Sequence, residues 1–222
     1  MLQRSTLKFL SALKRHNHKA WMDLHRQEYE LAKQDFENFI QSVLDLFGKK
    51  DLSLAGLTAK SCIFRINRDI RFSKDKSPYK TNMGASLSKG GKKSIYAGYY
   101  FHLEPGNSFV GGGLYMPDPA VLAKVRQEID YNFPEFNNIL RARSFRSIFE
   151  TLDTSPEIRL SRLPKGYEPR HPAAEFLRLK SVIAFRDLAD KEVTHPSLLK
   201  LTVKAFEALQ PLIIFMNTAL DD

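Results

Sequence analysis

The chain of 222 residues is 43% hydrophobic and 27% charged, and it carries a formal net charge of +9 at pH 7. That length is ample for a packed core, and the composition excludes a disordered or fibrous chain. A single cysteine, Cys62, excludes an internal disulfide, and no apolar run approaches the roughly 20 residues of a membrane span, so a reducing, cytoplasmic setting without membrane contact is expected.

Residues 1–22 hold no acid, while Arg4, Lys8, Lys14, Arg15 and Lys19 are basic. This loosely resembles an organelle transit peptide. Leu7, Leu10 and Leu13 share a helical stripe, however, and the pattern runs straight into the next element, so residues 6–15 are expected to form the first helix of the domain. Asn17 is the expected N-cap of a longer helix ending near Phe47. Trp21, Leu24, Leu31, Phe36, Phe39, Ile40, Val43, Leu44 and Phe47 recur at helical spacing, which places them in a core rather than a ligand pocket. Gly48 is the stop. This helical part covers about 5–48.

An antiparallel sheet is expected over about 61–116. Cys62, Phe64 and Ile66 alternate as a first strand, which makes Cys62 a small core residue, and Met83, Ala85 and Leu87 alternate as a second. A glycine- and lysine-rich turn at 88–94 precedes a third strand at 95–104, and the turn Pro105-Gly106-Asn107 precedes a fourth at 108–116. A mixed, mainly helical part follows over about 118–220. Asp118-Pro119 opens a helix to about Tyr131, and another helix follows Pro134 toward Arg146. Strand patterns occur at 157–162 and 181–186 beside a proline-bearing irregular stretch at 156–172. A last helix starts near Pro196 and carries Leu199, Val203, Phe206, Leu209 and Ile213. The expected fold is a single α+β domain over 1–222, with an antiparallel β-meander of about four to six strands and helices packed mainly on one face.

Charge is not spread evenly. Residues 61–116 carry 9 basic and 3 acidic groups, whereas residues 117–222 carry 15 of each. Concentrated charge points to an anionic partner. Its centre is the long connection 68–81, too polar for a core and too long for a tight hairpin. Arg65, Arg68 and Arg71 offer planar forks of donors suited to phosphate or carboxylate, and Lys74, Lys76 and Lys80 add point charge. Ser73, Ser77 and Thr81 are neutral donors, with Phe72 and Tyr79 set between the cations. The plainer reading is that Asp69 and Asp75 brace the loop, which leaves four cations over. Tyr79, Tyr100 and Tyr115 offer rings on which a base or sugar could stack.

In the third strand, Tyr96, Gly98, Tyr100, His102 and Glu104 share one face, and the apolar set Ile95, Ala97, Tyr99, Phe101 and Leu103 should meet the helices. His102 and Glu104 are therefore candidates for a base and its orienter. Gly111-Gly112-Gly113 marks a close approach, expected to admit Tyr79 or the basic loop over the sheet. No dinucleotide fingerprint, phosphate loop, zinc spacing or nucleophile elbow is present, so no metal is expected and no cofactor is implied. His16 and His18 fall in the first interhelix turn, His25 on a polar helix face, and His171 and His195 in turns before prolines. Arg141, Arg143 and Arg146 form a small basic satellite. The expected function is binding of a phosphate-bearing ligand, nucleic acid or phosphorylated metabolite. Two alternatives stand beside it: an enzyme acting on a phosphorylated substrate with His102 and Glu104 as acid–base groups, and an interaction module for an acidic protein.

The runs FRINRDIRFSKDKSPYKTN, GYYFHLEPGNSFVGGGLYMPDP and RLPKGYEPRHPAAEFLRLKS, with the opening FLSALKRHNHKAWMDLHRQEYE, strongly resemble the conserved hypothetical family known as domain of unknown function 2461. The resemblance covers about Leu7 to Asn217. It implies that the basic N-terminus belongs to the domain. It places Arg65, Arg68-Asp69, Arg71-Phe72-Ser73, Asp75-Lys76 and Pro78-Tyr79-Lys80 inside the family signature. It brings no activity and no catalytic residue.

Overall fold

The structure, a computed structural model, describes residues 1–71 and 74–221, so Phe72 and Ser73 of the basic loop lie outside the described residues. Helices α1 (Arg4–Arg15), α2 (Lys19–Leu24), α3 (Arg26–Phe47) and α4 (Ala59–Cys62) precede strands β1 (Met83–Ser88), β2 (Gly98–Leu103) and β3 (Ser108–Leu114). Helices α5 (Pro119–Tyr131), α6 (Phe133–Arg141), α7 (Arg143–Phe149) and α8 (Ala174–Leu177) follow. Strand β4 (Val182–Leu188), α9 (Asp190–Val193) and α10 (Leu198–Asp221) complete the chain. The strands form an antiparallel four-stranded meander in the order β1-β2-β3-β4, so the fold is α+β.

Contacts group the chain into two compact units. The first comprises Met1–Leu87, Tyr100–Val110 and Asp187–Val203. In it, α3 buries Ala32, Phe36, Phe39, Ile40, Val43, Leu44 and Phe47, a single stripe at three- and four-residue spacing. Phe36 and Phe39 pack on Phe101 of β2, with ring centroids 6.2 and 4.8 Å apart. Asp35 of α3 accepts hydrogen bonds from the backbone N–H of Gln3 (2.9 Å) and the hydroxyl of Thr6 (2.6 Å), capping α1 from a neighbouring helix.

The second unit comprises Ser88–Tyr99, Gly111–Arg186 and Lys204–Asp222. Tyr99 of β2 meets Phe206 of α10 at 4.9 Å, and Phe136 of α6 packs edge-on against Phe176 at 5.2 Å. Asn217 of α10 both donates to and accepts from the backbone of Ala97 (3.2 and 2.8 Å). The alternation on β2 is as expected, since Ala97, Tyr99, Phe101 and Leu103 are all buried. Ile95, which precedes the strand, is instead 52% exposed.

Several expected elements take another form. The helix opening at Asn17 is broken. His18 caps α2, its ring nitrogen accepting from the Trp21 N–H at 3.2 Å, and α3 begins afresh after His25. Leu24 and Leu31 face solvent, and half-buried Trp21 stacks on His25 at 4.0 Å rather than entering the core. The strand expected over 61–67 is replaced at its start by α4. There, Thr58 and Ser61 form a reciprocal capping box that draws Cys62, itself buried, into the helix. Beyond α4 only the isolated bridges Ile63↔Ala85 and Asn67↔Tyr79 remain. Residues 157–162 yield a short 3₁₀ turn (Pro156–Ile158) and one bridge, Arg159↔Leu179, because Pro156 just ahead of the pattern fixes a backbone angle suited to the first turn of a helix. The helix expected toward Arg146 is broken at Ala142, whose ψ of 136° is extended.

Candidate functional site

The basic loop is built on a clamp. Asn17 donates its amide N–H to the Tyr79 carbonyl (2.9 Å) and accepts the Tyr79 backbone N–H (3.1 Å). Arg68 N donates to the Pro78 carbonyl (2.9 Å) and Lys80 N to the Ile66 carbonyl (2.8 Å), closing the stem of the loop. Tyr79 is thereby buried, so its ring is part of the unit's interior and not an open stacking platform.

The cations divide into braced and unbraced. Arg68 pairs with Asp75 and also reaches the Tyr79 carbonyl (3.4 Å). Arg71 grips Asp69 through two parallel hydrogen bonds (3.0 and 2.7 Å), which holds the Asp69 carboxyl below its ordinary pKa. Asp75 is likewise held low, chiefly by the backbone N–H and hydroxyl of Ser77. Lys76 donates to the Ile70 carbonyl (2.9 Å). Bracing by Asp69 and Asp75 thus accounts for Arg68 and Arg71, and a backbone carbonyl engages Lys76. Lys74 is exposed, as is Arg65. Lys80 sits over the Phe64 ring at 5.5 Å. Partial burial, then the adjacent charges of Arg65 and Arg68, hold the Lys80 ammonium below its ordinary pKa.

From Phe64 the surface continues to Tyr100, with ring centroids 6.5 Å apart. Residues 100, 102 and 104 alternate onto one face of β2, and their side chains form a line. The Tyr100 hydroxyl lies 3.3 Å from His102 Nδ1, and His102 Nε2 lies 3.5 Å from Glu104 Oε2. The His102 ring stacks on Phe109 of β3 at 4.6 Å and 9°. Burial lowers the His102 pKa against the opposing pull of Glu104, so the imidazole is neutral at pH 7. For Glu104, burial raises the pKa, but hydrogen bonds from Asn107 (3.3 Å), Thr81 (3.0 Å) and His102 outweigh it and keep the carboxylate ionised. Lys14 approaches the same carboxylate at 3.9 Å. A hydroxyl, a neutral imidazole and an ionised carboxylate in series have the order of a base-assisted nucleophile.

Arg65, Arg68, Lys80, Tyr100, His102 and Glu104 all belong to the first unit. Tyr115, 70% exposed, belongs to the second. The glycine triplet lies in the second unit, packed closely against strand backbone. A β-carbon on Gly111 or Gly113 would strike the backbone of β4 at Ala184 or Val182, and one on Gly112 would lie 2.5 Å from the Gly98 carbonyl. Sequence reasoning missed Asn17 as a clamp, Phe109 as a stacking wall, and Gly84, where a β-carbon would collide with the Tyr100 hydroxyl. Gly84 had a readable signal: a glycine inside a strand, out of phase with buried Met83, Ala85 and Leu87, marks close approach on the open face. Two clefts of about 360 and 330 Å³ lie within the second unit, one lined by Glu128, Glu135, Pro211 and Ile214, the other by Thr151, Asp153 and Phe185. Among the described residues, no group of three or more His, Cys, Asp or Glu side chains is placed to hold a metal, and no helix is long and apolar enough to cross a membrane.

Comparison with curated proteins and with solved structures finds no match in either set. One family model aligns over residues 5–215, which takes in nearly all of α1, the basic loop, the line on β2 and most of α10. The chain therefore belongs to the family described as conserved hypothetical protein (DUF2461).

Proposed function

We propose that the first unit binds a phosphate-bearing ligand at the corner formed by Arg65, Arg68 and Lys80. The observation carrying this reading is the state of Lys80: a half-buried ammonium crowded by the guanidinium charges of Arg65 and Arg68, which share the two loop carboxylates, Asp69 and Asp75, with Arg71. Like charges brought together and partly desolvated are costly alone, and an anion between them relieves both terms. Arg68 Nε is also buried without a hydrogen-bond partner among the described residues. Arg71 and Lys76, engaged within the loop, serve its shape, and exposed Lys74 adds long-range attraction. The setting we assign is cytoplasmic.

Titration calorimetry with inorganic phosphate tests this, with Arg65→Ala and Lys80→Ala expected to weaken binding by about tenfold or more each, the loss of a charge-assisted hydrogen bond. A short single-stranded oligonucleotide, titrated at several salt concentrations, separates the two ligand sources. A nucleic acid gives a slope that scales with the phosphates covered, a compact metabolite a shallow one. Equal phosphate affinity in wild type and both variants would refute the site.

A further inference from the structure

The line on β2 holds groups that anion binding alone does not need. We propose that Tyr100 is a base-activated nucleophile that attacks the phosphorus of a phosphoester whose anionic oxygens rest on Arg65 and Lys80; this deepens the phosphate-binding reading and rests on it. Three features carry the assignment. The Tyr100 hydroxyl, His102 Nδ1 and His102 Nε2 to Glu104 Oε2 run in series at 3.3 and 3.5 Å, the looser spacing common before a ligand closes the site. The carboxylate at the end is fixed by Thr81 and Asn107, and the imidazole by its stack on Phe109, so the base is oriented from two sides. Gly84 supplies room for the phenol oxygen that a side chain would occupy. Gly84 also accepts the Phe64 N–H at 3.0 Å, which ties that spot to the segment leading into Arg65.

The step balances as follows. The phenol oxygen forms a bond to phosphorus as its proton passes to His102 Nδ1, and Glu104 stabilises the imidazolium through Nε2–H. The bond from phosphorus to the leaving oxygen breaks on the opposite side, and that oxygen takes a proton from solvent while His102 returns one to solvent. Water then attacks the phosphotyrosyl group, releasing phosphate and restoring the phenol.

The test uses the full chain and an arylsulfonyl fluoride, which modifies activated phenols, read by peptide mass mapping. Tyr115 and Tyr131, each 70% exposed, are internal references. Tyr100 is expected to label at least about tenfold faster than either, and His102→Gln to remove that advantage. Inorganic phosphate should slow labelling of Tyr100 and of neither reference. Labelling of Tyr100 no faster than Tyr115 and Tyr131 overturns the proposal, and that comparison stands in wild type even if the variant fails to fold. An unchanged rate in folded His102→Gln overturns it as well. Phosphate that binds calorimetrically while Tyr100 stays unreactive defeats the nucleophile alone. A reactive Tyr100 that phosphate neither protects nor accompanies with binding heat defeats the anion site and, with it, the phosphoester substrate.

Discussion

Gly84 and Tyr100 make a pair in which one residue's missing side chain sets the other's position. Because the obstacle to a β-carbon at Gly84 is the tip of a side chain, Tyr100 can swing aside. Gly84→Ala is therefore expected to cost only about 1 kcal/mol, the scale of one lost hydrogen bond, in denaturant unfolding. The same variant should abolish any preferential labelling of Tyr100. Asn17→Ala should act differently. It removes the partner of the Tyr79 N–H at the root of the basic loop and leaves the Tyr79 carbonyl the longer Arg68 contact, for a cost of about 1–3 kcal/mol. Hydrogen exchange distinguishes the clamp from a helix cap: faster exchange at Tyr79, with the first turn of α2 unchanged, marks a clamp. His102 adds a pH signature. Its folded pKa is depressed, so above the ordinary value of about 6.5 both folded and unfolded states carry a neutral ring, and as pH falls below it the unfolded state takes the proton first. Stability should therefore drop as pH is lowered through that window. The facing groups are Glu104, which opposes the shift, with Tyr100, Phe109 and, beyond the carboxylate, Lys14. His102→Gln should show a shallower fall in Tm between pH 7 and 5 than wild type.

Elements register the same substitutions at another price, because strand backbones cannot step aside. Gly113 adopts a φ of +128°, and a β-carbon there would strike the Val182 carbonyl of β4. Gly113→Ala combines backbone strain with a backbone collision and should cost about 3 kcal/mol or more, measured by urea unfolding. The contrast with Gly84→Ala separates a glycine that admits a strand from one that admits a hydroxyl. The alternation of β2 was legible in the sequence because its buried positions meet aromatic rings, Phe101 against Phe36 and Phe39 in the first unit and Tyr99 against Phe206 in the second, while half-buried Tyr100, His102 and Glu104 fall in the alternate phase. Residues 61–67 were misread because the alternation of Cys62, Phe64 and Ile66 outweighed a local signal, the Thr58–Ser61 capping box, that was equally present. The role of Asn17 was not legible at all. Its partner lies 62 residues away, and an asparagine before a helix reads as a cap whatever its side chain touches. The glycine triplet was recognised as a close approach, yet period and spacing carry no information on which strand arrives.

Across the whole molecule, a net charge of +9 repels itself, and two thirds of that excess lies in residues 61–116. Any salt should therefore raise Tm by screening, and phosphate raises it further for any protein by being excluded from surfaces. Neither effect reports a site. A bound anion adds a term that depends on occupancy, about 2.7 kcal/mol at one hundred times the dissociation constant. The separation comes from melting wild type and the Arg65→Ala/Lys80→Ala double variant in chloride and in phosphate at equal ionic strength. Screening and exclusion act on both proteins almost alike, since two charges of thirty-four are removed. Site occupancy acts on wild type alone. In chloride the double variant should be as stable as wild type or slightly more so, because it sheds the repulsion around Lys80 and Arg68. In phosphate the order should reverse, with wild type gaining as the logarithm of phosphate concentration. Parallel melting curves for the two proteins across both salts would mean that the crowded cations are held by the fold for its own sake.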